Sequence, residues 1–146
     1  MNEQRSPRVL VVDDEGPVRA LLCELLAVWG YEADAAATGT EGLALFRRGG
    51  YDLVVTDFRM PGVTGLDLVK TVRQHDPTVG VIVFTASTTD LEGYRQRLGF
   101  TLLHKPLELA GLETAVKRAL ADKQDGGAPA DAPARSLLGS AGQDDR

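Results

Sequence analysis

The chain has 146 residues, 43% hydrophobic and 25% charged, which suits one domain with an ordinary core and leaves no room for a second catalytic or binding domain. A formal charge of −5 argues against direct nucleic-acid binding, which needs a basic surface to hold phosphates. The single cysteine, Cys23, excludes an internal disulfide and reads as a small helix residue, and no apolar stretch approaches the roughly 20 residues of a membrane helix, so the expectation is a cytoplasmic protein with no membrane contact.

Residues 1–7 and 125–146 read as disordered ends, the second rich in Gly, Ala, Pro, Asp and Ser with Leu137-Leu138 its one apolar island; residues 8–124 form the domain. The first strand is Val9 to Val12, ending in Asp13-Asp14-Glu15. Gly16-Pro17 opens a helix with Val18, Leu21, Leu22, Leu25 and Val28 at helical spacing, stopped by Gly30 and with Trp29 partly buried at its end. Tyr31 to Ala36 is a compositionally weak second strand. Thr38 to Arg48 follows as a helix, with Thr38 its N-cap, Glu41 three residues on, a stripe of Leu43, Ala44 and Phe46, and Gly49-Gly50 as its stop.

The run Leu53-Val54-Val55 is short, apolar and β-branched, as in a strand buried on both faces, and Asp57 stands at its carboxyl end. Met60-Pro61-Gly62 makes a loop before a helix that carries Leu66, Val69 and Val72 and runs to about Gln74. His75 reads as a solvated loop residue. Val79 to Phe84 is the fourth strand and ends in Thr85-Ala86-Ser87. A short polar helix over Asp90 to Leu98 leads to a fifth strand, Thr101 to His104, with His104 facing solvent or a crevice, and then to Lys105-Pro106. The last helix, Leu107 to about Lys123, shows Leu109, Leu112, Val116 and Leu120 on one face.

Five strands alternating with five helices imply an α/β fold: a doubly wound parallel sheet with helices on both faces and right-handed crossovers. Parallel strands point their carboxyl ends the same way, so Asp13, Asp14, Asp57, Thr85 and Lys105 share one edge, where such sheets bind ligands. Crowded carboxylates repel and raise one another's pKa unless a cation intervenes. An all-oxygen donor set without Cys or His suits Mg²⁺. With Lys105 and the Thr85 hydroxyl the edge complements a phosphoryl group, and a carboxylate can itself be the nucleophile. Asp57 is the candidate, because it stands alone at a central strand end while Asp13 and Asp14 are adjacent and suited to holding metal.

An acidic pair after the first strand, Asp57 followed by Met60-Pro61 and Gly65, Thr85-Ala86 after the fourth strand and Lys105-Pro106 after the fifth together resemble a response-regulator receiver domain, over about Arg8 to Leu120. The resemblance implies the flavodoxin-like strand order 2-1-3-4-5. It implies that Asp57 takes a phosphoryl group from a phosphohistidine on a sensor histidine kinase or a histidine phosphotransfer protein. Mg²⁺ is then held by Asp14, Asp57 and the backbone carbonyl of Arg59, with Asp13 acting through water, while Thr85 and Lys105 read the phosphate. It further implies a cis peptide before Pro106, modulation of acyl-phosphate lifetime by Arg59 and Ser87, and signalling to a downstream protein as a monomer or weak dimer, with no enzymatic turnover beyond its own phosphorylation and dephosphorylation.

Two departures stand out. The segment between Thr85 and Lys105 is about two residues shorter than is usual in such domains, which predicts a truncated or rearranged fourth helix, and Leu102 occupies the place of the family's switch aromatic. Both favour an alternative, a receiver-like adaptor that works without phosphate. A Mg²⁺-dependent phosphatase working through an aspartyl phosphate is the other alternative; it wants a second acid two residues after the nucleophile, where this chain has Arg59.

Overall fold

The computed structural model describes residues 6–87 and 89–124. In chain order the elements are β1 (Arg8–Val12), α1 (Gly16–Val28), β2 (Glu32–Ala36), α2 (Gly39–Arg47), β3 (Leu53–Asp57), α3 (Gly65–His75), β4 (Gly80–Thr85), α4 (Glu92–Leu98), β5 (Thr101–His104) and α5 (Leu109–Gln124). All neighbours pair in parallel, in the order β2-β1-β3-β4-β5. Of the two ends expected to be disordered, residues 1–5 and 125–146 lie outside the described residues, whereas the carbonyl of Pro7 accepts a hydrogen bond from Glu32 N at 2.9 Å.

Side chains that alternate along a strand reach opposite faces, and the sheet therefore has two cores. Leu10, Val12, Val54, Val81 and Val83 pack with Leu68, Val69 and Val72 of α3 and Phe46 of α2. Val9, Val11, Val55, Ile82 and Phe84 pack with Leu22 and Leu26 of α1 and with Leu112, Val116 and Leu120 of α5. Every residue of β3 is buried, as expected of a central strand covered on both faces. Edge strand β2 has one buried residue, Ala36, which accounts for its weak composition.

The helices depart from the sequence reading where burial depends on which way each helix is rolled. In α1 the buried residues are Leu22 and Leu26, while Leu21 and Val28 are exposed; they lie about 100° or more around the helix from the buried stripe. In α2 the exposed Ala44 gives way to half-buried Leu45, and Gly42 lets the helix close on Val12, whose Cγ2 would stand 2.8 Å from a Cβ there. Helix α5 starts at Leu109, not Leu107, and Leu109 itself is exposed. Helix α4 starts at Glu92, because Asp90 Oδ1 accepts the Glu92 N–H at 3.0 Å in a turn before it; at seven residues it is short, as the shortened segment predicts, and it buries none of its side chains fully. His75 is the last residue of α3 and not a loop residue: its Nδ1 lies 3.1 Å from Thr71 O, and the ring is exposed. Trp29 and Cys23 are half-buried against the α1 side of the core.

Candidate functional site

Asp57 is the last residue of β3 and is buried. Its position is set from both sides: Phe58 N donates to Phe84 O at 2.7 Å, and Gly65 N donates to Phe58 O at 2.9 Å, closing the loop that follows. Thr64 then starts α3 with a capping box, its hydroxyl accepting from Asp67 N at 3.1 Å while the Asp67 carboxylate accepts from Thr64 N. Buried Gly65 brings the first turn of α3 against the backbone of Asp57 and Phe58.

Lys105 extends from the end of β5 to the same edge. Its N–H donates to Thr85 O at 2.9 Å, the Lys105-Pro106 peptide is cis, and Nζ lies 3.2 Å from Asp57 Oδ2. Thr85 ends β4 and is buried; its Oγ accepts the Ser87 N–H at 2.8 Å, which leaves the hydroxyl proton available to donate. Ser87 Oγ in turn donates to Thr89 Oγ at 2.8 Å and accepts Thr89 N at 3.0 Å, holding the turn after β4.

Oxygens of Asp13, Asp14 and Asp57 approach within 4.8 Å of one another. Asp13 is the buried member of the acidic pair and Asp14 the exposed one. Asp13 Oδ1 accepts Glu15 N at 2.9 Å and its carbonyl accepts Arg19 Nη1 at 2.8 Å, whereas Oδ2 is buried with no hydrogen-bond partner. Burial is the main force pushing its carboxyl above the ordinary range; the Glu15 N–H opposes this, Asp57 adds to it, Lys105 opposes it and Asp14 adds to it. A buried, unpartnered carboxylate oxygen facing two more carboxylates fits a hard divalent cation, which would satisfy that oxygen and offset the mutual repulsion.

The structure thus brings together Asp13, Asp14, Asp57, Thr85 and Lys105, the five residues expected at this edge. The Arg59 side chain is exposed: its guanidinium stands 5.8 Å from the Phe58 ring centroid, and the residue borders a cavity of about 420 Å³ beside the site. Leu102 sits in β5 opposite Val83, half-buried against the core on the α3 side. Glu15, Arg19 and Ser87 as a support of Thr85 went unnoticed in the sequence. Their contributions are backbone hydrogen bonds and a long side chain folding back, for which spacing carries no signal.

The profile of the response regulator receiver domain matches residues 9–117. Among curated relatives, regulatory protein AtoC of Escherichia coli is 37% identical over 116 residues, 77% of this chain but 25% of AtoC, and sporulation initiation phosphotransferase F of Bacillus subtilis is 33% identical over 122 residues, 82% of this chain and 95% of that protein. The chain therefore spans about a quarter of the first and nearly all of the second. Response regulator protein TrrA from Thermotoga maritima, solved in complex with Mg(2+)-BeF, is similar in structure with a TM-score of 0.72 at 36% identity, covering 78% of this chain and 99% of that one. A CheY-like receiver domain protein from Methanospirillum hungatei superposes with a TM-score of 0.79 at 26% identity, covering 84% and 100%. Fold, edge constellation and sequence agree: the chain belongs to the response regulator receiver domain family of two-component signalling.

Proposed function

We propose that the chain is a phosphoacceptor switch in which Asp57 takes a phosphoryl group from the phosphohistidine of a sensor histidine kinase or histidine phosphotransfer protein. One observation carries the reading: Lys105 Nζ stands 3.2 Å from the Asp57 carboxylate at the edge where Asp13 keeps a buried, unpartnered oxygen. In the transfer an Asp57 oxygen forms a bond to phosphorus, the phosphorus–nitrogen bond of the donor breaks, and the imidazole leaves as a neutral ring after gaining a proton. Lys105 neutralises charge on the transferred group, and the Thr85 hydroxyl donates to one of its oxygens. Asp14, Asp57 and the Arg59 carbonyl would hold Mg²⁺, with Asp13 assisting through water. When bound, the ion supplies positive charge to the phosphoryl oxygens and offsets carboxylate repulsion. Arg59 and Ser87 tune hydrolysis of the acyl phosphate from their places just beyond Asp57 and Thr85.

The test is incubation with MgCl₂ and acetyl phosphate, read by intact mass. Wild type gains one phosphoryl group and Asp57→Asn gains none; equal labelling of the two sinks the proposal. Leu102 supports a second reading, an adaptor whose partner contacts ignore phosphate, because an aliphatic side chain already packed on the core offers no aromatic rotamer to couple to Thr85. That reading requires partner affinity to be the same for wild type and Asp57→Ala. Turnover of a phosphomonoester would instead support phosphatase activity. No helix among the described residues is long and apolar enough to cross a membrane, and we place the protein in the cytoplasm on the nature of the proposed donors.

A further inference from the structure

The seam between α3 and α4 gathers four cations, Arg59, Lys70, Arg73 and Arg97, of which Arg73 has the Asp76 carboxylate nearby. It begins at the cavity of about 420 Å³ beside the site, walled by Phe58, Met60, Pro61 and Leu66 with Arg59, Thr64 and Thr89 as its polar lining. Lys70 lies one helical turn on from Leu66 and Arg73 two turns on, so the three share a face of α3. Across the seam, Tyr94 of α4 holds two cations: Lys70 Nζ is 5.3 Å and Arg97 Cζ 4.8 Å from its ring centroid.

Arg73 continues the line. Its Nε donates to Leu98 O at 2.5 Å and its Nη2 to Gly99 O at 2.9 Å, joining α3 to the end of α4. Among the described residues no ion pair joins Arg59, Lys70 or Arg97 to a carboxylate, while Arg73 is drawn to Asp76 at the end of α3. The acids of the two helices are engaged elsewhere: Asp67 caps α3 and Glu92 pairs with Arg95. Asp90, just ahead of α4, accepts the Glu92 N–H. A chain of net charge −5 therefore presents a basic line next to an apolar cavity.

We infer that this seam is a docking surface for an acidic polypeptide segment bearing an aromatic side chain, its carboxylates on Lys70 and Arg97 and its ring in the cavity beside Arg59. Charge complementarity selects the acidic character, and the apolar cavity walls select the aromatic anchor. Because Tyr94 already holds both cations in place, less side-chain freedom is lost on binding. A nucleic-acid duplex keeps its bases stacked inside and would bring phosphates without an aromatic anchor, against the overall negative charge. The inference does not rest on the phosphoacceptor reading, since the surface stands in the unphosphorylated protein.

The test uses the full chain carrying Asp57→Ala, without Mg²⁺, so that phosphorylation plays no part. It is ¹⁵N-labelled and titrated with the synthetic peptide Glu-Glu-Asp-Trp-Asp-Glu-Glu. The expected result is saturable shifts at residues 58–66, 70 and 94–97. Binding should weaken at least about tenfold, a change of about 1.4 kcal/mol, when the tryptophan of the peptide is replaced by serine and in Lys70→Gln/Arg97→Gln, but not in Arg118→Gln on α5. The peptide replacement is measured on the unaltered seam and so stands even if the double variant folds poorly. Absence of saturable shifts, equal affinity for the two peptides, or a DNA duplex that displaces the peptide from the same residues overturns the inference.

Discussion

Replacing Gly65 with alanine tests how tightly the first turn of α3 is built against the phosphoacceptor strand. A Cβ at this buried position would stand 2.9 Å from Phe58 Cα and 3.0 Å from the Asp57 carbonyl carbon, and closer still to the Asp57 oxygen. Unstrained carbon–carbon contacts sit near 3.5–4.0 Å, and the atoms in the way are backbone, so no side chain can rotate to make room. Either α3 or the Asp57-Phe58 peptide must shift by several tenths of an ångström. Overpacking of this kind costs about 1–3 kcal/mol. For a domain of this size that corresponds to a fall in Tm of roughly 3–15 °C. Because the displaced atoms belong to Asp57 itself, labelling by acetyl phosphate should slow as well; a displacement of about 1 Å can cost on the order of 100-fold. Urea unfolding followed by circular dichroism gives the first quantity and intact-mass time courses the second. Gly111→Ala is the matched control, since nothing lies within 4 Å of a Cβ there and the exposed site is helical. It should gain up to about 1 kcal/mol. If Gly65→Ala is as stable as wild type and is phosphorylated as fast, the close approach does not position Asp57.

Three further outcomes follow from the structure. Arg73→Met removes donors from the carbonyls of Leu98, Gly99, Asp76 and Val79; only Val79 is buried, so at about 1–3 kcal/mol for a buried acceptor left without a partner it should cost about 1–3 kcal/mol in urea, with faster amide exchange in α4, and an unchanged midpoint would show that water replaces the guanidinium freely. Tyr51 is raised to about 12, chiefly by burial and then by its hydrogen bond to Asp34, so the folded state keeps a proton that the unfolded chain sheds near pH 10; this stability is present below pH 10 and lost as pH rises toward 12, and Tyr51→Phe should flatten that decline. Asp13 is also raised, so its contribution is present below the ordinary carboxyl range and lost as pH rises through its folded pKa: Asp13→Asn should raise the Tm of the metal-free protein at neutral pH and shrink the increase produced by MgCl₂, while an undiminished increase would remove Asp13 from the metal site.

Strand identities and the edge constellation were legible because their signals are local. An apolar run such as Leu53 to Val55 that ends in an acid is a strand end wherever it lies in the sheet, and parallel winding carries every such end to one side. The helices were less legible. Leu21 and Leu22 are equally apolar neighbours, and only the roll of α1 on the sheet separates an exposed residue from a buried one. The short α4 was foreseen from a segment too short for a normal one, but its anchoring was not, since Arg73 looks like any surface arginine until α4 ends beside it.

The sequence by itself determined that two acids, a third acid, a hydroxyl and a lysine follow four different strands, and with that the chemistry available to the edge, because strand ends follow from pattern and turn residues. Tertiary structure alone decided that Asp13, not Asp14, is the buried member of the acidic pair with an unpartnered oxygen, that Thr85 is buried, and that Lys105 reaches Asp57. It also decided that four cations line one seam. Burial and reach depend on contacts between residues far apart in the chain, Asp57 and Lys105 being 48 positions apart, and no local pattern encodes them.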